Sequence, residues 1–268
     1  MVSKHTPSFV IVLLLLLVIP GTLDAQRGRG GRGGPPGPPP SPREAAPVDF
    51  TGDWVSVVTE DWRWRMVTPS PGDFAGVPLN QEGRRVGDAW DPEAVEAAGE
   101  ECRAYGAGGI MRIPTRLQIR WQDDETLRIE SDAGTQTRLF HFGGEQPSDW
   151  VSTFQGYSSA QWEGAVRGVL TPRAGLGAVR AGLGGRALEV VTTGLRAGYV
   201  RKNGAPYSDG AVVREYYSLS TQPNGDIWFV VTTIVEDPTY LSESFVTSTD
   251  FKKIPEGEGW NPTPCSAR

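Results

Sequence analysis

AVVREYYSLSTQPNGDIWFVVTTIV, residues 211–235, reads as two strands joined by a tight turn. Apolar and polar side chains alternate along both halves, and a period of two sends successive residues to opposite faces of a sheet. Asn224 and Gly225 mark the turn, because both central positions of a two-residue hairpin favour residues that tolerate positive φ. The same alternation recurs in DWVSVVT (53–59), DWRWRMV (61–67), TRLQIRW (115–121), TLRIES (126–131), TQTRLFHF (135–142), ALEVVTT (187–193) and ESFVTSTDF (243–251). Turn formers such as QDDE (122–125) separate them. So dense a set of strands predicts an all-β fold, with residues 48–268 as a single sheet or barrel domain. Helix is confined to about 79–98. There Leu79, Gly83, Val86 and Trp90 share a face, and Asp91 before Pro92 and Glu93 reads as the cap of a second short helix.

Period two also singles out a charge. In AVVREYYSL, Ala211, Val213, Glu215, Tyr217 and Leu219 fall on one face, which sets a carboxylate among apolar neighbours. Burial of an unpaired carboxylate is costly, so Glu215 either pairs with an arginine or carries a raised pKa suited to proton transfer. In DWRWRMV, Trp62, Trp64 and Met66 alternate with Arg63 and Arg65. A strand there has two readings: an apolar core face opposite a solvated charge ladder, or Arg63 and Arg65 lining a polar cavity that holds a carboxylate or sulfate.

The first 47 residues read differently from the rest. Lys4 and His5 precede an apolar run from Phe9 to Pro20, and Ala25 is a small residue at a plausible cleavage point; this is signal-peptide anatomy over 1–25, with an uncleaved anchor as the alternative. No later segment is apolar enough to span a membrane, so the expected location is periplasmic or secreted. Residues 26–47, QRGRGGRGGPPGPPPSPREAAP, have almost nothing to bury and are expected to form a disordered basic arm on an acidic body, the whole chain carrying a formal charge of −6. The arm is either a soluble spacer or a dock for an anionic envelope polymer through 26–46; nucleic acid is not expected as a partner. Cys102 and Cys265 suit an oxidising compartment and are expected to form a disulfide, the alternative being two unpaired thiols.

Cofactor and metal motifs are not evident. AGLG occurs at 174–177 and 181–184, but the third glycine of a dinucleotide fingerprint would fall on Arg180, so the glycine-rich stretch 164–186 reads as a hairpin loop or flap. His141 is the one histidine beyond the leader, too few for a multi-histidine metal site. No serine sits in a GxSxG elbow to make it a hydrolase base. Between Phe140 and Phe142 it reads as a strand residue or, alternatively, as a proton-transfer group.

FTGDW (50–54), PLNQEGRRVGDAWDP (78–92), GIMRIP (109–114), QGYSSAQWEG (155–164), PYSDGAVVREYY (206–217) and TTIVEDPTYLSESF (232–245) occur in an order and spacing that resemble a widespread group of exported bacterial proteins of unassigned function. The resemblance runs from Phe50 to about Phe251 and implies an antiparallel lipocalin-like barrel. Gly52-Asp53-Trp54 is similar to the GxW opening of lipocalins, in which the tryptophan plugs the closed end. The chain departs from the group at Tyr157-Ser158 and Tyr207-Ser208, where relatives often have histidine before the serine. Any histidine chemistry of the relatives is therefore lost here or carried by phenols.

Three functions follow as expectations. The first is a barrel that binds a small, largely apolar molecule in its interior, with Trp, Tyr and Phe walls and Glu215, Tyr217 and Arg112 as polar anchors; Tyr157, Tyr207, Trp162, Arg63 and Arg65 complete the candidate ligand-binding residues. The second is a cofactor-independent isomerase, lyase or hydratase in the same cavity, using Glu215 or His141. The third is an envelope-associated interaction protein engaged through the basic arm.

Overall fold

Apolar alternation closes the chain into a cylinder. The computed structural model describes residues 38–163 and 187–268. The expected signal peptide, the expected arm up to residue 37 and the glycine-rich stretch 164–186 lie outside the described residues. Nine strands form a closed barrel: β1 (Gly52–Val57), β2 (Arg116–Trp121), β3 (Thr126–Ser131), β4 (Gln136–Phe142), β5 (Tyr157–Trp162), β6 (Ala187–Thr193), β9 (Val212–Thr221), β10 (Ile227–Glu236) and β11 (Phe245–Ile254). Around the barrel they run β1-β11-β10-β9-β6-β5-β4-β3-β2. A separate two-stranded ribbon is made by β7 (Gly198–Arg201) and β8 (Ala205–Tyr207). The compact unit holding all of this begins at Pro40.

The all-β barrel agrees with the sequence pattern, with two corrections. Strand β4 pairs with β5 in parallel, Phe140 opposite Ser158, because residues 143–156 carry the chain back along the outside before β5 starts. An entirely antiparallel barrel would have needed a tight turn after Phe142. At the 221–227 hairpin, Gly225 has positive φ and Asn224 does not; Gly225 N–H donates to Gln222 O (2.9 Å) and Gln222 N–H to Asp226 O (2.8 Å). Pro223 and Asn224 thus make an ordinary turn followed by a left-handed glycine, a three-residue loop in place of the two-residue one.

A third correction changes the site. DWRWRMV is a single helical turn, α1 (Trp62–Arg65), opened by Asp61 in the left-handed region at φ 51°. Arg65 N–H donates back to Asp61 O and Met66 N–H to Trp62 O, bonds that a strand would direct to a neighbour. The expected core face is consequently turned outward, with Trp62 67 % exposed and Met66 also exposed, while Arg65 is buried.

One end of the barrel, where β1 and β10 finish and β2 and β11 begin, carries a cap. It comprises α1, α2 (Gln81–Asp88), α3 (Pro92–Ala97), the 3-10 turns Glu101–Tyr105 and Ile110–Arg112, and the β7–β8 ribbon. Asn80 and Asp91 cap α2 and α3 as their side-chain chemistry dictates, Asp91 Oδ1 accepting from Glu93 N–H (2.9 Å). Helix α2 is docked without a side chain between it and the main chain beneath: a methyl at Gly83 would fall 2.2 Å from Tyr240 O. Gly83→Ala is therefore expected to lower stability by about 1–3 kcal/mol through displacement of α2. A thermal melt within 1 °C of the parent would contradict this.

Cys102, in the first 3-10 turn, is joined by a disulfide to Cys265. At the opposite end of the barrel the last part of the sequence-predicted arm is ordered. Ser41 and Glu44 exchange hydrogen bonds (3.0 and 3.2 Å), and Trp162 Nε1–H donates to Pro42 O (2.8 Å). Composition set the arm's boundary at 47, but two apolar residues near it, Ala46 and Val48, pack on the core.

Candidate functional site

Inward-facing positions of the strands fill the lumen. Trp54 from β1 meets Phe229 of β10 edge-on (4.7 Å between ring centroids), and Phe229 stacks on Phe251 of β11 (4.7 Å). A belt of polar groups crosses the inner wall on four neighbouring strands. Arg138 on β4 makes a two-pronged ion pair with Glu215 on β9, Nη1 to Oε1 at 3.0 Å and Nη2 to Oε2 at 2.6 Å. Arg138 Nη2 also reaches Thr192 Oγ1 on β6 (3.3 Å), which bonds Ser158 Oγ on β5 (2.8 Å), and Tyr217 OH donates to Glu215 Oε1 (3.2 Å).

Glu215 is 0 % and Arg138 3 % exposed. Phe140 and Tyr217, which touch the pair, and Phe229 behind Tyr217 are equally closed. Burial alone would push the Arg138 guanidinium down, but the Glu215 charge more than offsets it and holds the cation above its ordinary range. Burial and the Glu215 charge together push the Tyr217 phenol far up. Of the two outcomes open to Glu215, the arrangement is the arginine pair.

The other sequence-predicted residues separate into three places. His141 points out of the barrel, on the opposite face of β4 from Arg138, and stacks on Tyr157 (4.8 Å, 8°) beneath Trp150. Burial lowers its pKa, with Asp123 opposing, so it is neutral at pH 7. Glu215 and His141 therefore share no cavity. Trp162 stacks parallel to Phe50 at the end away from the cap (6.3 Å), and Tyr207 lies fully buried in the cap's own apolar core.

Arg65 and Arg112 do come together, in a recess of about 360 Å³ in the cap. Asp61 builds it. Its left-handed backbone starts α1, which swings Arg65 inward, and its carboxylate accepts from Arg112 Nη2 (2.7 Å). Arg65 donates through Nε to Arg112 O (2.9 Å) and pairs with Glu60. Strand β7 contributes Arg201, whose Nη1 donates to Ala75 O (3.0 Å) and whose guanidinium lies over Trp64 (5.2 Å). Burial and the neighbouring Arg112 charge bring Arg201 down to about 10. Burial also lowers Arg65, with Glu60 opposing.

Five cationic side chains, Arg65, Arg112, Arg201, Lys202 and Arg268, line the recess, and among the described residues no acidic side chain does. Trp64, Met66, Ile113 and Val200 supply an apolar wall beside them. Arg63 stays outside, exposed and paired with Asp73 (2.9 Å). Among the described residues no group of three or more His, Cys, Asp or Glu is placed to hold a metal ion. Compared with known proteins, the chain matches no family model, no curated protein and no solved structure.

Sequence reasoning did not reach Arg138, Arg201 or Lys202. Arg138 carried a signal, since period two in TQTRLFHF sets it on the face of Phe140 and Phe142. Arg201 and Lys202 carried none. Their place depends on how the β7–β8 ribbon folds across the cap.

Proposed function

We propose that this chain is an exported β-barrel protein that binds a small molecule with an anionic group on an apolar body, in the cap recess and not in the lumen. The observation that carries the reading is the recess lining, which sets the guanidinium-bearing Arg65, Arg112 and Arg201 beside the apolar Trp64, Ile113 and Val200. Ligand pockets combine an apolar lining with a few placed polar groups in this way. The disulfide supports an oxidising compartment, and no helix of the described residues is long and apolar enough to cross a membrane. The proton-transfer alternative gains nothing from Glu215, both of whose oxygens are occupied by Arg138.

Anilinonaphthalene sulfonate, an apolar body with a sulfonate, tests the site. It is expected to bind one per chain with saturable fluorescence, and Trp64→Ala is expected to weaken it about tenfold, or about 1.4 kcal/mol. Binding unchanged in Trp64→Ala would place the dye elsewhere and end the reading.

A further inference from the structure

We infer that the ligand of the cap recess extends past Met66 into a second, uncharged groove, and that the part lying there is a sugar. The ligand class is then an acidic glycoside, its anionic group and apolar aglycone in the recess and its saccharide in the groove. This rests on the recess being the ligand site and adds the remainder of the ligand.

Three observations support it. The first is adjacency. Met66 and Pro114 line the recess and also line a groove of about 600 Å³, whose other walls include Val55 and Val58 on one side of the chain and Asn261 and Thr263 of the C-terminal segment. Met66 is exposed, so the boundary between the two spaces is a flexible, unbranched side chain rather than packed core.

The second is that the groove is held in shape by a buried carboxylate. Asp132 is 5 % exposed; its Oδ1 accepts from Thr115 Oγ1–H and Arg116 N–H (both 2.8 Å), and its Oδ2 accepts from Asn261 N–H (3.4 Å). Thr263 N–H donates to the Asp132 main-chain oxygen (2.9 Å). One residue therefore fixes the start of β2 and the C-terminal segment relative to each other, and a groove set in advance costs a ligand less to enter.

The third is the chemistry of the lining. Asn261 and Thr263 are exposed, and their side chains make no hydrogen bond among the described residues. Ser56 Oγ accepts from Thr115 N–H (2.9 Å), which leaves its own O–H to donate. An amide and two rotatable hydroxyls both donate and accept, as every hydroxyl of a sugar does. The charged lining residues, Arg116 and Asp132, stand 3.9 Å apart and offset each other, so a second anionic group gains nothing here. Val55, Val58 and Pro114 give apolar surface to the C–H face of a sugar ring. A peptide would bind best by adding a strand, but β1 and β2 beside the groove are each paired along both edges.

Calorimetric titration of the oxidised full chain decides the class. The probes are p-carboxyphenyl glucoside, its sugar-free analogue p-methoxybenzoate, the uncharged phenyl glucoside, and p-carboxybenzoyl dialanine amide as the peptide counterpart. The acidic glycoside is expected to bind at least about tenfold more tightly than each of the other three. Asn261→Ala and Thr263→Val together should remove most of that margin while leaving the melting temperature and the affinity for anilinonaphthalene sulfonate in place. The methoxybenzoate equal to the glycoside would overturn the sugar, the phenyl glucoside equal to it would overturn the acid, and the peptide equal to it would overturn the saccharide class. A margin unchanged in the double variant would overturn the groove. If none of the four binds while the dye still does, the acidic glycoside falls and the recess stands. If the dye fails as well, the recess itself falls.

Discussion

Glu215→Gln is expected to destabilise the protein by about 3–5 kcal/mol, a large share of the stability of a domain of this size. The carboxylate accepts two hydrogen bonds from Arg138 and one from Tyr217 in a region closed to water. An amide there offers one acceptor and turns its NH2 toward a guanidinium, leaving a positive charge buried without a counterion. The pair is not itself a large source of stability, because desolvation of both ions offsets most of their attraction. Arg138→Met combined with Glu215→Leu should therefore recover most of the loss, and the difference between the double and single changes measures the coupling. Urea unfolding with an unchanged slope checks both. A Glu215→Gln variant within 1 kcal/mol of the parent would mean that water reaches Arg138, and with it that the lumen has room for a ligand.

What the sequence disclosed followed from periodicity, and what it concealed followed from tertiary context. Alternation located every barrel strand but β5, and it placed Glu215 on an apolar face, because a side-chain period of two survives any arrangement of neighbours. The same alternation misled at DWRWRMV. A four-residue helix and a strand share that pattern, and only the left-handed Asp61 separates them. Parallel pairing of β4 with β5 was not legible, since direction depends on the return path of residues 143–156. At the site, Arg65 and Arg112 were visible as candidate anchors, but not as neighbours. They are 47 residues apart in the chain and are joined through the Arg112 main-chain oxygen and the Asp61 carboxylate.

Replacing Cys102 and Cys265 by serine is expected to lower stability by about 5 kcal/mol, from the loop-closure entropy returned to the unfolded chain over a separation of 163 residues. The consequence should be local as well as global. Residues 259–268 lie against the loop after β3, where Thr263 N–H donates to Asp132 O (2.9 Å) and Thr135 Oγ1–H to Thr263 O (3.0 Å). Beyond Cys265, Ala267 is buried in the barrel core and Arg268 reaches the cap recess. The disulfide ties this segment to the 3-10 turn that precedes Ile110–Arg112, so it holds one wall of the recess against another. Without it the segment past Cys265 is held only by the buried Ala267 and the Arg268–Glu93 pair, which loosens Arg268 in the recess and with it the acceptor of Lys202. The reduced protein should accordingly unfold at lower urea and, under conditions where it is still folded, bind anilinonaphthalene sulfonate more weakly than the oxidised form. Unchanged affinity in a folded Cys102→Ser/Cys265→Ser variant would show that the recess is set by α1, the Ile110–Arg112 turn and β7 alone.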